Sequence, residues 1–178
     1  MNSFTIFIKV SLVYIREYTI SQLDKDTVNN FVGDRKERSN EIKIRSLTYI
    51  LYVKNNKLLC VGQVIGKSSN YITKIAFSDV SFDGDIIITT SSNEEQNIAP
   101  ISLSNTNVEV KCNCLDFFQR LASYNKNVKA LYGTDTPNYT GGTSPEDKKK
   151  GNPNNSPGIC KHVYALLDHL KTEGLVTV

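Results

Sequence analysis

The sequence predicts an α+β fold built mainly on antiparallel strands, and three observations lead there. The first hundred residues hold successive short runs rich in β-branched and aromatic residues, separated by Gly, Asn and Asp, a pattern of strands and tight turns. No strong 3.6-residue periodicity interrupts them. The chain then closes on an apolar-faced helical stretch, reached through a Pro-rich interval. A single sheet, a sandwich and a partial barrel all fit this order. The expected organisation is a β-rich body over residues 1–110 and a Cys/His-bearing segment, with a long loop and a C-terminal helix, over residues 111–178.

Phe4–Ile15 is apolar but interrupted by Lys9, and it lacks the basic start and small-residue cleavage site of a secretory signal. It reads as a strand. Ser21–Asn40 is polar and contains the mixed-sign run Asp34-Arg-Lys-Glu-Arg38, which predicts a solvated loop or a short exposed helix and offers a partner-binding loop. Ile42–Val53 and Leu58–Ile65, joined at Asn55-Asn56, form the clearest hairpin. Cys60 lies within the second of these runs and is assigned to the core. Tyr71–Val80, Ile86–Thr90, Ile98–Leu103 and Asn107–Lys111 complete six or seven strands, with Asp83-Gly-Asp85 as a turn. Leu115–Asn125 can cover a helical face or fold around a metal. Thr134–Pro157 holds four of the five prolines and the triplet Lys148-Lys149-Lys150, so it is a loop. Ile159–Lys171 carries Val163, Leu166, Leu167 and Leu170 on one helical face, with Gly174 as the stop.

The 178 residues are 39% hydrophobic and 22% charged, an ordinary globular composition with enough chain for one sizeable core or two small ones. No apolar run is long enough to span a membrane. Residues 1–110 are electrically neutral, and the whole formal surplus of +3 falls in residues 111–178. That is a weak footprint for a protein that grips DNA through its backbone, where a dense Lys/Arg stripe is expected.

Three of the four cysteines and one of the two histidines form the pattern Cys112-x-Cys114, 45 intervening residues, then Cys160-x-His162. Side chains alternate along an extended segment, so both thiols of Cys-x-Cys face the same way. The second pair opens a helix. Three thiolates and an imidazole complete a tetrahedron with no open position, the arrangement of a structural Zn²⁺ site. A disulfide framework fits less well, since Cys112 and Cys114 are too close to bridge easily and the cysteine count is low. Burial as small hydrophobes also fits poorly, because polar Asn113 separates the first pair and Lys161 follows Cys160. His169 lies about 10 Å along the helix from His162 at 1.5 Å per residue, and is expected at the surface.

Lys111-Cys-Asn-Cys-Leu-Asp-Phe117, Asn152-Pro153 and Pro157-Gly-Ile-Cys-Lys-His162, followed by an apolar helix, resemble the SWIM-type zinc finger. More specifically, they are similar to a pattern in virion-associated proteins of tailed bacteriophages, and the resemblance covers about residues 110–172. It implies one Zn²⁺ held by Cys112, Cys114, Cys160 and His162, and no enzymatic activity. It also implies a structural virion subunit of the portal-proximal neck, connector or tail, assembling as a homo-oligomeric ring with other virion proteins. The alternative is a SWIM-type nucleic-acid-binding module, with Lys148, Lys149, Lys150, Lys161 and Tyr139 as contacts. Enzyme chemistry finds no support in the residues: there is no nucleophile elbow, no phosphate-binding loop and no second histidine placed as a base.

Overall fold

The computed structural model describes residues 18–31, 34–66, 69–134, 152 and 154–178. The strand expected over Phe4–Ile15 lies outside them, as do Tyr139, Lys148, Lys149 and Lys150. Among the described residues the first element is a helix, α1 (Ile20–Asn30). Its cap, Thr19, accepts the Gln22 N–H at 3.3 Å, and the Gln22 side chain accepts the Thr19 N–H at 2.8 Å. This capping box satisfies two donors that a helix start leaves without partners. Ile20, Leu23 and Thr27 form a buried face, which corrects the expectation of a solvated loop or short exposed helix here. A threonine completes the buried stripe, and its hydroxyl is satisfied by donating to the Leu23 carbonyl at 2.6 Å, so an apolar periodicity alone passes over it.

β1 (Lys43–Tyr52) and β2 (Lys57–Ile65) form the expected hairpin, paired from Tyr52↔Lys57 to Lys43↔Ile65. A 3-10 turn at Val53–Asn55 joins them, and Asn56 takes the left-handed conformation with φ 47°, which Asn tolerates better than most residues. The chain continues through β3 (Asn70–Phe77), β4 (Ile86–Thr89), β5 (Glu95–Ile98), β6 (Ile101–Ser102) and β7 (Val108–Cys112). The run Ile98–Leu103 is thus divided at Ala99-Pro100, where proline has no N–H to offer a ladder. A four-stranded antiparallel sheet in the order β1-β2-β3-β7 dominates, with β4 and β5 as a separate small hairpin. β2 is central and carries Leu58, Leu59, Cys60 and Val64 fully or almost fully buried. The place expected for Cys60 is the place it occupies.

Beyond β7 come α2 (Leu115–Arg120), α3 (Ala122–Asn127), α4 (Lys161–Thr172) and β8 (Val176–Thr177). α4 packs across all four strands of the main sheet. Val163, Leu166, Leu167 and Leu170 are buried as expected, and Tyr164 joins them, its hydroxyl donating to Asp24 of α1 at 2.5 Å. Each such side chain contributes about 1.5–3 kcal/mol on full burial. The helix stops where Gly174 adopts φ 75°. The Gly174 N–H donates to the Lys171 carbonyl and the Leu175 N–H to the Leu170 carbonyl, a Schellman closure that a left-handed glycine makes without strain. β8 then pairs parallel with β6. One continuous core joins α1, the sheet, α2, α3 and α4, drawing residues from both sides of position 110.

Candidate metal centre

Strand geometry delivers the first pair of cysteines. In β7, Val108, Val110 and Cys112 alternate onto the buried face, and Cys112 lies opposite Thr73 of β3. Asn113 then prolongs the pairing: its N–H donates to the Ile72 carbonyl at 3.2 Å, and its side-chain oxygen accepts the Ile72 N–H at 2.9 Å. The polar residue between the two cysteines therefore fixes the turn away from the sheet. Cys114 remains extended, with φ −73° and ψ 150°, and caps α2 by accepting the Phe117 N–H at its Sγ, 3.4 Å away. The second pair comes from α4, with Cys160 as its N-cap and His162 in its first turn.

The four side chains converge. Their ligand atoms all lie within 4.8 Å of one another, and every one of the four residues is buried. Tetrahedral coordination with metal–sulfur bonds of about 2.3 Å has sulfur–sulfur edges of about 3.8 Å, so the quartet needs only a small contraction to close around a cation. The His162 Nδ1 is already 3.9 Å from the Cys112 Sγ. The Tyr71 ring packs against the His162 ring with centroids 4.2 Å apart, which restrains the imidazole. All four cysteines of the chain are free thiols, so no disulfide competes for these sulfurs. Three sulfurs and one nitrogen form a soft donor set that suits a tetrahedral divalent cation.

Without a cation, three adjacent thiols cannot all ionise. The first negative charge settles on Cys112, whose pKa is pushed down to about 4 by hydrogen bonds from the Cys114 and Cys160 thiols. The Thr73 hydroxyl and the Cys114 backbone N–H add to this, each 3.4 Å from the Cys112 Sγ. Cys160 goes the other way, raised well above its ordinary value by burial and then by its two sulfur neighbours. A divalent cation reverses that preference by favouring the thiolate at each sulfur.

The approach to Cys160 is held by polar side chains, of which sequence reasoning had singled out Asn152, within the resemblance, but neither Asn125 nor Thr27. Asn125 of α3, fully buried, donates to the Gly158 carbonyl at 2.9 Å and accepts the Gly158 N–H at 2.8 Å. Thr27 of α1 accepts the Ile159 N–H at 2.9 Å. Asn152 donates to the Arg120 and Ser156 carbonyls and accepts the Ser156 N–H. A side chain at 158 would collide here, since a Cβ there would sit 2.7 Å from the Thr27 Oγ1. That contact, more than any turn, is why the residue is glycine.

Arg35, read within a solvated charge run, is instead buried. Its Nε and Nη2 clasp the Asp116 carboxylate at 3.1 and 3.0 Å, its plane lies over the Phe31 ring at 4.3 Å, and Arg120 adds a second ion pair to Asp116 at 3.0 Å. Asp116 follows Cys114 by two residues, so this contact ties the segment before β1 to the helix that Cys114 caps. Of the lysines proposed as nucleic-acid contacts, Lys161 is partly exposed next to the cluster. His169 is partly exposed and takes no part in the quartet. Among the described residues no helix is long and apolar enough to cross a membrane. No protein-family model matches the chain, and neither a curated protein nor a solved structure shows significant similarity to it.

Proposed function

We propose that this chain is a non-enzymatic structural subunit whose fold is fastened by one Zn²⁺ bound to Cys112, Cys114, Cys160 and His162. The observation that carries the reading is the closed quartet: four ligand atoms within 4.8 Å, all on buried residues. Zinc is the natural occupant of a Cys₃His tetrahedron. Bound there it supplies a crosslink between β7, α2 and α4, and no coordination position is left for a substrate. The protein side of that crosslink is prepared by Thr73, Asn125, Thr27 and Asn152, which position the sulfurs through hydrogen bonds. The resemblance of the Cys-x-Cys and Cys-x-His segments to tailed-phage virion proteins supplies the setting: a neck, connector or tail component that forms a homo-oligomeric ring with other virion subunits, assembled in the host cytoplasm. The SWIM-type nucleic-acid module is the second reading, favoured by the positive residues Arg38, Arg120 and Lys161 gathered beside the quartet.

Native mass spectrometry of the purified chain, with and without a chelator, tests both the metal and the assembly. One zinc per chain, in a ring or partner-dependent complex that falls apart on chelation, supports the structural reading. A metal-free folded monomer sinks it. A zinc-bound monomer whose affinity for DNA falls steeply with salt transfers the weight to the second reading.

A further inference from the structure

A cleft of about 280 Å³ opens beside the Cys/His quartet, walled by Arg35, Arg38, Arg120, Lys161, Asp116 and Tyr71. Four cations meet a single carboxylate there, and that carboxylate is already engaged by Arg35 and Arg120. Among the described residues, Arg38 and Lys161 have no acidic partner. The Arg35 side chain is 9% exposed, and its third nitrogen, Nη1, is buried with no hydrogen-bond partner. His162 also lines the cleft. Buried donors in native structures almost always find an acceptor, and like charges gathered at one site disfavour one another unless an anion sits among them.

We propose that this cleft binds a phosphate group. The surplus decides the class of anion. A carboxylate brings one negative charge and two oxygens in one plane. A phosphate brings more acceptor oxygens, directed tetrahedrally, which suits guanidinium and ammonium donors arriving from three separate segments of the chain. Arg35 and Arg38 come from the segment before β1, Arg120 from the end of α2, and Lys161 from the first turn of α4. The phosphate is carried either by a free ion or small ester, or by a nucleic-acid backbone. The inference stands apart from the assembly role above, since it needs neither a ring nor a phage partner.

The test uses the intact chain, with its metal, and two probes. Inorganic phosphate is titrated against acetate and chloride at matched ionic strength, followed by thermal unfolding and phosphorus NMR. A fluorescently labelled single-stranded oligonucleotide is titrated by anisotropy. Arg120 is exposed and Lys161 partly so, so the double variant R120Q/K161Q is expected to fold, which circular dichroism checks. It should bind phosphate about tenfold more weakly than the parent, while Lys54→Gln on the exposed hairpin turn leaves binding unchanged. Oligonucleotide binding that inorganic phosphate displaces and R120Q/K161Q weakens assigns the backbone as the source. Phosphate binding without oligonucleotide binding assigns a free phosphate or small ester. Stabilisation by acetate or chloride equal to that by phosphate, with no oligonucleotide affinity sensitive to the double variant, overturns the proposal. None of these outcomes alters the zinc content or native mass, so failure here and failure of the structural reading are told apart.

Discussion

The side chain of Asn125 hydrogen-bonds to Gly158 rather than to any of the four Cys/His residues, yet its replacement by alanine should be among the most damaging polar substitutions in the chain. Its amide satisfies both backbone groups of Gly158, at 2.9 and 2.8 Å, in a fully buried position. Asn125→Ala leaves a buried N–H and a buried C=O without partners, each costing about 1–3 kcal/mol. The expected loss is therefore about 3–4 kcal/mol, a large share of a typical domain's 5–15 kcal/mol. Asn127→Ala is the matched control: the same chemical change at an exposed position, expected to stay within about 0.5 kcal/mol of the parent. Urea unfolding of the zinc-loaded proteins, followed by far-UV circular dichroism, reads both. Because Gly158 precedes Cys160 by two residues, a loosened clamp should also show in competition with a chromogenic chelator, as weaker zinc retention by the folded Asn125→Ala protein. If the two alanine variants differ by less than about 1 kcal/mol, the clamp contributes nothing beyond the packing of its neighbours and the reasoning fails.

Three further outcomes are expected. Chelation should lower the urea midpoint, and Cys160→Ser should abolish stoichiometric zinc while Cys60→Ser retains it, since Cys60 sits in β2 away from the quartet; equal metal content in the two serine variants would refute the ligand assignment. Gly158→Ala should destabilise by about 1–3 kcal/mol, because its Cβ meets the Thr27 Oγ1 at 2.7 Å and the Phe31 ring at 3.2 Å; a parent-like midpoint would show that α1 can yield there. Asp116 supplies a pH signature. Burial alone would raise its pKa, but hydrogen bonds and charge from Arg35, then Arg120, outweigh burial and hold it below the ordinary 3.8. A lowered folded pKa contributes stability above the ordinary value and loses it as pH falls through the folded one. Asp116→Asn should thus be less stable than the parent at neutral pH, and the difference should shrink in acid; a difference that is constant with pH contradicts the pairing.

The parts of this protein that were legible in its sequence are those whose signal is local. The β1–β2 hairpin follows from two β-rich runs on either side of Asn55-Asn56, and α4 from four apolar residues at helical spacing. The quartet was legible because thiols and imidazoles carry their chemistry in the residue type. What stayed hidden was set by partners far along the chain. Arg35 looked solvated because the carboxylate that permits its burial is 81 residues away; a cation's burial depends on that pairing and not on its neighbours in sequence. Asn125, Thr27 and Asn152 have the composition of loop and helix-surface residues, and only the backbone groups they meet reveal them as buried clamps. α1 was the near miss: Thr19 and Gln22 spell a capping box, but Thr27 broke the apolar count on its inner face.

These hidden contacts bear on how a quartet split by 45 residues can close at all. Loop closure grows only logarithmically with length, each doubling costing about 0.6 kcal/mol. The long interval is thus a small penalty beside the several buried hydrogen bonds that secure its far end. Asn152 reaches the Arg120 carbonyl at the end of α2, Asn125 holds Gly158, and Thr27 holds Ile159, so the chain is returned to α2, α3 and α1 just before Cys160 is needed. Most of the ordering cost of bringing Cys160 and His162 to Cys112 and Cys114 is then met by folding itself, and a cation would meet sulfurs already in place. The interval can vary in length with little effect on the centre, whereas the eight or so residues before Cys160 cannot.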